Sequence, residues 1–253
     1  MKILVCCKYV RDSGEIKARK DRSIDLDAAP WEISQYDTVA MEAAMQLARM
    51  SEGSEVEVLT VGGEVVENSK MRKAVLSRGP EKMYAIKSSG DDLLNKASLI
   101  AQAVERIGGV DVVVFGEGSG DMYSQILGVM VGEMLHVPAL NAVSAMSIEE
   151  DKLVVTRTVG ARSEHYRISY PAVVAVTSDI CRAKIPSMKD ILAAGKKPVE
   201  VWREDEFASA SQTVEALSVM APESRERKRC VLTSEDGAQE FAAALRDALK
   251  GVE

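Results

Sequence analysis

Aromatic residues are scarce in this sequence, and its charge balance is acidic. Phe, Trp and Tyr together make up 4% of the 253 residues, and the formal net charge is -7. Proteins that bind nucleic acids usually need a basic face, and often aromatic rings on which bases stack. The composition therefore argues against a nucleic-acid-binding protein.

Histidine and cysteine are also rare, which limits the chemistry available to the chain. Neither His136 nor His165 has an acidic residue at the spacing of a zinc-protease motif. The sequence therefore offers almost no residues from which a zinc site or a Ser-His-Asp triad could be built. The cysteines, none of them in a Cys-x-x-Cys motif, are Cys6, Cys7, Cys181 and Cys230. The adjacent pair would point to opposite faces of a strand. We therefore expect reduced core thiols, no metal site and no hydrolase chemistry.

Long hydrophobic runs are missing as well. A membrane-spanning helix needs ~20 consecutive apolar residues, and no run in the sequence approaches that length. Residues 1–5 form a strand-like run that does not resemble a signal peptide. We therefore expect a cytoplasmic protein with no membrane insertion.

The sequence does contain a regular alternation of short apolar runs and helical patterns. Strands are predicted at residues 3–7, 56–61, 83–86 and 110–115, and helices at residues 39–47, 68–76 and 93–107. This alternation is typical of βαβ units and a parallel sheet. Further strands, the first three antiparallel, are predicted at residues 143–148, 153–159, 164–169 and 173–177. The sequence therefore predicts an α/β, Rossmann-like three-layer sandwich with a mixed, mostly parallel sheet.

The chain becomes polar and irregular beyond Pro198. Charged runs at residues 203–206 and 223–229 precede a last helical pattern at residues 238–249. Such a stretch is uncommon inside a compact domain, so it either wraps a partner or is partly disordered. We therefore predict a nucleotide-binding domain at residues 1–198 and an extended C-terminal arm with a terminal helix at residues 199–253.

The most informative motif is the loop Gly116-Glu117-Gly118-Ser119-Gly120-Asp121. We place it between a strand that ends at Phe115 and a helix from Met122 to Leu135. Alternate glycines let the backbone approach a ligand closely, and the start of the helix favours a phosphate. A tight turn without a ligand explains the same pattern equally well. The motif is neither a P-loop nor a dinucleotide fingerprint, so the residues alone predict only a loop suited to phosphate.

Two more loops could contribute to the same site. The sequence Ser34-Gln35-Tyr36-Asp37 begins a helix and needs no role beyond capping it, with Ser34 or Asp37 as the N-cap. The sequence Val61-Gly62-Gly63 ends a strand and either leaves room for a ligand or merely forms a turn. Strand ends on one side of a parallel sheet converge on one crevice, so the three loops together indicate a site more strongly than each alone.

In this order along the chain, the segments resemble the β subunit of electron-transfer flavoproteins over almost the whole length. The resemblance is carried by Ile3-Leu4-Val5-Cys6-Cys7-Lys8, residues 33–44, residues 116–132, Tyr170-Pro171-Ala172-Val173-Val174, and Ile185-Pro186-Ser187-Met188-Lys189 through Lys196-Lys197-Pro198. Residues 33–37, 76–80 and 185–189 are most similar to the Fix-type branch. That branch is associated with anaerobic metabolism, such as carnitine or enoyl-CoA reduction, or with nitrogen fixation.

The resemblance implies a fold related to adenine-nucleotide hydrolases and a bound adenine nucleotide, either AMP or a second FAD. The matching positions are Cys6, Ser34, Gln35, Tyr36, Asp37, Val61, Gly62, Gly116, Gly118, Ser119, Gly120, Asp121, Ser124, Gln125 and Leu127. In the last loop the family carries an acidic run followed by Asn-Gln-Thr, whereas here only Asp121 represents the acids. The Asp-Gly-Asp-Thr loop of bifurcating members is not reproduced either.

The resemblance also implies contacts with partners, through a recognition loop at residues 182–194. The docking positions are Arg182, Lys184, Ile185, Pro186 and Met188. A single exposed apolar side chain rimmed by charges can enter a partner's pocket, although the residues alone favour a plain surface turn. Tyr36 matches a position near the partner's flavin, and Ser13 stands where the family has a second aromatic residue.

The function that the resemblance implies is that of a non-catalytic electron-carrier subunit. An α subunit would hold the FAD, an acyl-CoA dehydrogenase-type flavoenzyme would supply electrons, and a quinone reductase or ferredoxin would be a further redox partner, with or without electron bifurcation. The alternatives are a stand-alone adenine-nucleotide-binding protein and an adenylyl-transfer enzyme of the same fold. No Ser-Gly-Gly-x-Asp-Ser loop follows residues 3–7, which argues against the enzyme.

Overall fold

The computed structural model describes residues 1–90, 92–208, 210, 214, 217–223 and 231–250. The strands are β1 (Lys2–Cys7), β2 (Tyr9–Arg11), β3 (Lys17–Ala18), β4 (Ile24–Asp25), β5 (Trp31–Ile33), β6 (Glu55–Gly62), β7 (Lys82–Lys87), β8 (Val112–Gly116), β9 (Ala139–Glu149), β10 (Lys152–Val159), β11 (Arg162–Ile168), β12 (Ala172–Val176) and β13 (Val199–Arg203). The α-helices are α1 (Gln35–Arg49), α2 (Ser69–Leu76), α3 (Leu93–Ile107), α4 (Leu127–Met134), α5 (Met188–Ala194) and α6 (Gly237–Leu249).

Nine strands form one sheet, in the order β11-β10-β9-β12-β8-β1-β6-β7-β13. Neighbours from β9 to β13 in this order are parallel, whereas β10 runs antiparallel to both β9 and β11. The central strands β1, β8 and β12 are almost entirely buried apolar runs, as expected for parallel strands covered on both faces. The predicted α/β fold with a mixed, mostly parallel sheet is confirmed.

Helices cover both faces of this sheet and give three layers. Helices α1, α2 and α5 contribute to the core on one face, and α3 and α4 to the core on the other. Cys6 and Cys7 enter opposite cores because successive strand side chains alternate between faces. Both thiols are free and buried, and burial raises the pKa of each. Cys181 is free and half-buried, while Cys230 lies outside the described residues.

The helix after the glycine loop is shorter than the sequence predicted. We predicted a helix from Met122 to Leu135, but α4 begins only at Leu127. Tyr123 and Gln125 have φ angles of 45° and 59°, in the left-handed region that a right-handed helix cannot contain. The prediction was therefore wrong at the N-terminal end, and residues 117–126 form an irregular loop.

The sheet continues into the segment that we predicted as the arm. Strand β13 pairs with β7, and the buried Trp202 packs its ring 5.1 Å from that of Tyr84, beneath the guanidinium of Arg106. The α/β unit thus extends beyond residue 198 by at least this strand, and the division into domain and arm stays a prediction. Within the described part of the chain, no helix is long and apolar enough to cross a membrane.

Candidate functional site

A cavity of about 420 Å³ opens at the carboxyl ends of the parallel strands. Its wall includes the strand residues Cys6, Cys7, Leu59, Val61, Phe115, Gly116 and Ala175. Asp92 and the first turns of α3, the irregular loop of residues 117–126 and the start of α4 also line it, as do Val214 and Val219 from the C-terminal segment. Parallel α/β sheets bind their ligands at this edge, so the cavity is the candidate functional site.

The structure brings most of the predicted site residues together in this cavity. Those that line it are Cys6, Asp37, Val61, Gly116, Gly118, Ser119, Asp121, Ser124, Gln125 and Leu127. Those that do not are Ser34, Gln35, Tyr36, Gly62 and Gly120. Ser34 is fully buried beneath the start of α1, where its side chain makes no capping hydrogen bond. Of the segment Ser34-Gln35-Tyr36-Asp37, only Asp37 therefore lines the cavity.

Sequence reasoning missed several lining residues, including both lysines that line the cavity among the described residues. Lys8 follows β1 directly, and its position at the end of a central strand was a usable signal. Asp92, Leu93, Lys96 and Ile100 also line the cavity from the segment after β7. Their periodicity predicted a helix, α3, but gave no indication that one side of its first turns faces a ligand space.

Two glycines of the loop are required by packing inside the protein rather than by a ligand alone. A Cβ atom on Gly116 would lie 2.7 Å from Asp37 Oδ1 and 2.8 Å from the backbone carbon of Tyr36. A Cβ atom on Gly118 would lie 2.5 Å from Cδ2 of Tyr123. The glycine at 120 has only ordinary contact distances around it, the nearest being 3.6 Å from Val10. Position 116 therefore needs glycine because β8 lies close to α1, and position 118 needs it because the loop folds tightly on itself.

Asp37 is a buried carboxyl group that joins three elements beside the cavity. Its Oδ2 accepts a hydrogen bond from the backbone N–H of Lys8 at 2.8 Å, and the backbone N–H of Gly116 also donates to this carboxylate. Burial raises the pKa of Asp37 to about 7, even though both hydrogen bonds and the charge of Lys8 act in the opposite direction. Asp37 therefore ties the start of α1 to the ends of β1 and β8.

The raised pKa predicts a pH-dependent contribution of Asp37 to stability. Between its ordinary value of 3.8 and about 7, the folded state holds a proton that the unfolded state has released. The free energy of unfolding of the wild type, minus that of D37N, should therefore fall as the pH rises through this window, by up to about 4 kcal/mol. Urea unfolding of both proteins at pH 4 to 8 measures this difference. The variant D27N changes an exposed residue, so its free energy of unfolding should vary with pH as that of the wild type does. A wild-type-minus-D37N difference that does not change with pH would contradict the prediction.

Lysine and carboxylate groups face each other across the mouth of the cavity. Lys8 Nζ lies 2.5 Å from Asp121 Oδ2 and so links the end of β1 to the irregular loop. Burial raises the pKa of Asp121, but its hydrogen bonds with Lys8 and Ser119 outweigh that effect and leave the pKa below its usual value. A ligand phosphate could replace the Asp121 carboxylate as the ion-pair partner of Lys8. Leu59, Ile100 and other apolar side chains offer a surface on which a planar base can pack.

The predicted docking segment presents apolar side chains to solvent. Ile185 is 88% exposed, and Met188 and Leu192 are also strongly exposed. Two contacts fix the segment: Arg78 Nη1 donates to the carbonyl of Lys184 at 3.1 Å, and a capping box between Ser187 and Asp190 starts α5. Arg182 and Pro186 lie in the same irregular stretch. The segment is thus a surface loop held in shape with its apolar groups outward.

An aromatic pair lies beside the cavity. The rings of Tyr36 and Tyr123 have centroids 5.0 Å apart and an interplanar angle of 45°. Tyr36 is half-buried, Tyr123 is 42% exposed, and Ser13 is exposed. The sequence had indicated Tyr36 through the resemblance, but it gave no sign that Tyr123 would lie against it.

A family comparison adds one finding to this geometry. The model of the electron transfer flavoprotein domain matches residues 23–207, which is most of the chain. The match spans the start of α1, the irregular loop and the exposed docking segment.

Proposed function

Because the chain belongs to the electron transfer flavoprotein domain family, we propose that it is the β subunit of a heterodimeric electron-transfer flavoprotein. Proteins of this family are electron carriers rather than enzymes and are associated with flavin. The observation that carries the proposal is the cavity at the carboxyl ends of the central strands, where the sequence-predicted loops meet. The chain would supply a nucleotide site and a docking surface, and no residue in it would act as an acid, base or nucleophile.

The nucleotide proposed for the cavity is AMP. A volume of about 420 Å³ is near the lower end of the ~300–1,000 Å³ range of ligand pockets, which favours a mononucleotide over a second FAD. The apolar wall at Leu59 and Ile100 suits the adenine ring, and Lys8 and the first N–H groups of α4 suit a phosphate. The fit is to an anion with few charges, because Asp37, Asp92 and Asp121 also face the cavity.

The FAD would be held mainly by the α subunit, with this chain forming one side of its surroundings. When bound, that FAD supplies the electron-transfer chemistry. Tyr36 is proposed to pack against it, since its ring is part of the aromatic pair at the surface beside the cavity. The chain's task at this interface is to position the flavin and to exclude water from it.

Two surfaces are proposed to contact partners. Ile185, with the basic Arg182 and Lys184 nearby in sequence, would enter a pocket of an acyl-CoA dehydrogenase-type flavoenzyme, while charge steers the encounter. Helix α6 has no buried residues and exposes Phe241, Leu245 and Leu249 at a spacing of four, which forms one apolar stripe. We propose that this stripe lies against the α subunit, in keeping with the predicted partner-wrapping arm. Assignment to the Fix-type branch rests on the sequence resemblance and stays a prediction.

Cofactor content tests the proposal directly. The chain is co-purified with its α subunit, the complex is denatured, and released FAD and AMP are quantified by chromatography. We expect about one FAD and one AMP per heterodimer, following from one nucleotide cavity in this chain and one flavin on its partner. About two FAD and no AMP would contradict the AMP assignment and indicate a bifurcating-type complex. A chain that is a stable monomer with no affinity for a flavoprotein partner would exclude the β-subunit function.

The isolated chain also distinguishes the proposal from an adenylyl-transfer enzyme of similar fold. An electron-carrier subunit should bind AMP without turning over ATP. Release of AMP and pyrophosphate from ATP by the purified chain would favour the enzyme instead.

A further inference from the structure

Tyr123 has an unusual backbone conformation in the irregular loop that forms part of the wall of the nucleotide cavity. Its backbone has a φ of 45°, and its N–H donates to the carbonyl of Ser119 at 3.1 Å. Its ring packs on the bare backbone of Gly118, so closely that a Cβ atom there would be 2.5 Å from the ring. The loop therefore reaches its shape by folding Tyr123 back onto Gly118, a residue that lines the cavity.

The hydroxyl end of Tyr123 interacts with two more residues of the cavity wall. Burial and the negative charge of Glu117 raise the pKa of Tyr123, and its side chain also interacts with Gln125. Glu117 and Gln125 both line the cavity. Glu117 in turn accepts a hydrogen bond from the backbone N–H of Ser178 at 3.2 Å, just after β12. The single side chain of Tyr123 thus contacts the wall at residues 117, 118 and 125.

The Tyr123 ring also packs against Tyr36. The two ring centroids lie 5.0 Å apart, and neither residue lines the cavity itself. Tyr36 immediately precedes Asp37, which does line it, so the pair is joined to the cavity wall through both partners. Tyr123 is consequently the side chain that spans from the cavity wall to an aromatic surface.

The backbone conformation of this loop is imposed by its contacts and is not the intrinsic conformational preference of its residues. Tyr123 and Gln125 are both non-glycine residues in the left-handed region, which persists only where neighbours impose it. A ligand that contacts Gly118, Ser119 or Gln125 adds to or removes such constraints, and so shifts the population of loop conformations. Movement of the loop would carry the Tyr123 ring with it.

We propose that Tyr123 is a positioning residue that couples occupancy of the nucleotide cavity to the Tyr36 ring and thereby to the flavin of the partner subunit. The inference rests on the proposed function, which places that flavin against Tyr36. Nucleotide in the cavity fixes the loop, the loop fixes Tyr123, and the tilted ring pair fixes the surface on which the flavin packs. The nucleotide then tunes the flavin without contacting it.

The test uses the heterodimer and reads the flavin rather than activity. The complex is dialysed free of AMP, AMP is titrated back, and the visible absorption and fluorescence of the FAD are recorded. In the wild type, AMP should change both spectra. Y123L should bind AMP about tenfold more weakly and, even at saturating AMP, should show no change of the flavin spectra. Y123F keeps the ring, so it should keep the spectral response and lose at most about fivefold in AMP affinity.

Tyr166 provides the matched control. It is a similarly exposed tyrosine whose hydroxyl donates to a glutamate, Glu164, but it lies on β11. Y166L should retain the AMP affinity and the spectral response of the wild type. An FAD spectrum that ignores AMP in the wild type while AMP binds, or a full response in Y123L, overturns the coupling and leaves the β-subunit function standing. A complex that holds no FAD overturns the proposed function and the coupling together.

Discussion

Replacing Ile185 with aspartate is expected to weaken binding of the proposed heterodimer to the proposed acyl-CoA dehydrogenase-type donor by about 100-fold or more. An apolar anchor that acts as a hot spot in a partner's pocket contributes about 2 kcal/mol or more of binding free energy, and the variant would also place a charge in that pocket. The side chain is 88% exposed, so the substitution removes almost nothing from the fold. The KM for the heterodimer, measured from reduction of its FAD by the donor flavoenzyme, reports the loss.

Stability and specificity controls separate docking from folding in this experiment. The melting temperature of I185D should equal that of the wild type, because the residue is not part of either core. Met50, another exposed apolar residue at the end of α1, supplies a matched substitution. M50D should leave the KM unchanged. An unaltered KM in I185D would show that the segment from residue 182 to 194 does not dock the donor.

The architecture of this chain could be predicted because its central strands are continuous apolar runs. The predicted strands at residues 3–7, 56–61 and 83–86 match β1, β6 and β7 to within two residues at each end. Strands covered by helices on both faces need apolar side chains on both, and such runs stand out in a sequence. The change of period after Pro138 likewise identified the antiparallel strands β10 and β11.

The irregular loop could not be predicted, because its shape depends on contacts distant in sequence or specific to side chains. The sequence analysis placed a helix directly after the glycine loop, yet Tyr123 and Gln125 adopt left-handed conformations. The ring of Tyr123 finds its place against Gly118 and Tyr36, and the latter lies 87 positions earlier in the chain. Local periodicity carries no information about such a contact, so the helix start was misplaced by five residues.

Charged residues in the cavity show a second limit of sequence reasoning. The end of a predicted strand locates the crevice, which is why the loops at Val61 and Gly116 were expected to meet there, and both residues line the cavity. Lys96 reaches the cavity from the side of α3, and a helix has no comparable landmark for the part of its surface that meets a ligand. The face of α3 that meets the cavity follows from how this helix packs against the sheet, which the sequence pattern does not give.

Replacing Gly116 with alanine should lower the free energy of unfolding by about 3 kcal/mol, the upper part of the range for overpacked sites. The new Cβ would lie 2.7 Å from Asp37 Oδ1 and 2.8 Å from the backbone of Tyr36, so β8 or α1 must move. Movement there also loosens the hydrogen bonds that Asp37 accepts from Lys8 and Gly116. We therefore expect AMP affinity to fall along with the unfolding midpoint in urea.

The glycine at position 63 isolates the packing effect from the general effect of replacing a glycine. A Cβ atom on Gly63 would meet nothing within 4 Å, and its φ of -72° is open to alanine. G63A should therefore match or slightly exceed the wild type in stability, because alanine restricts the unfolded chain. If G116A unfolds at the same urea concentration as G63A, the close approach of β8 to α1 is not what requires glycine at position 116. Glycine at position 116 would then have to be required by the bound nucleotide. In that case G116A should lose AMP affinity without losing stability.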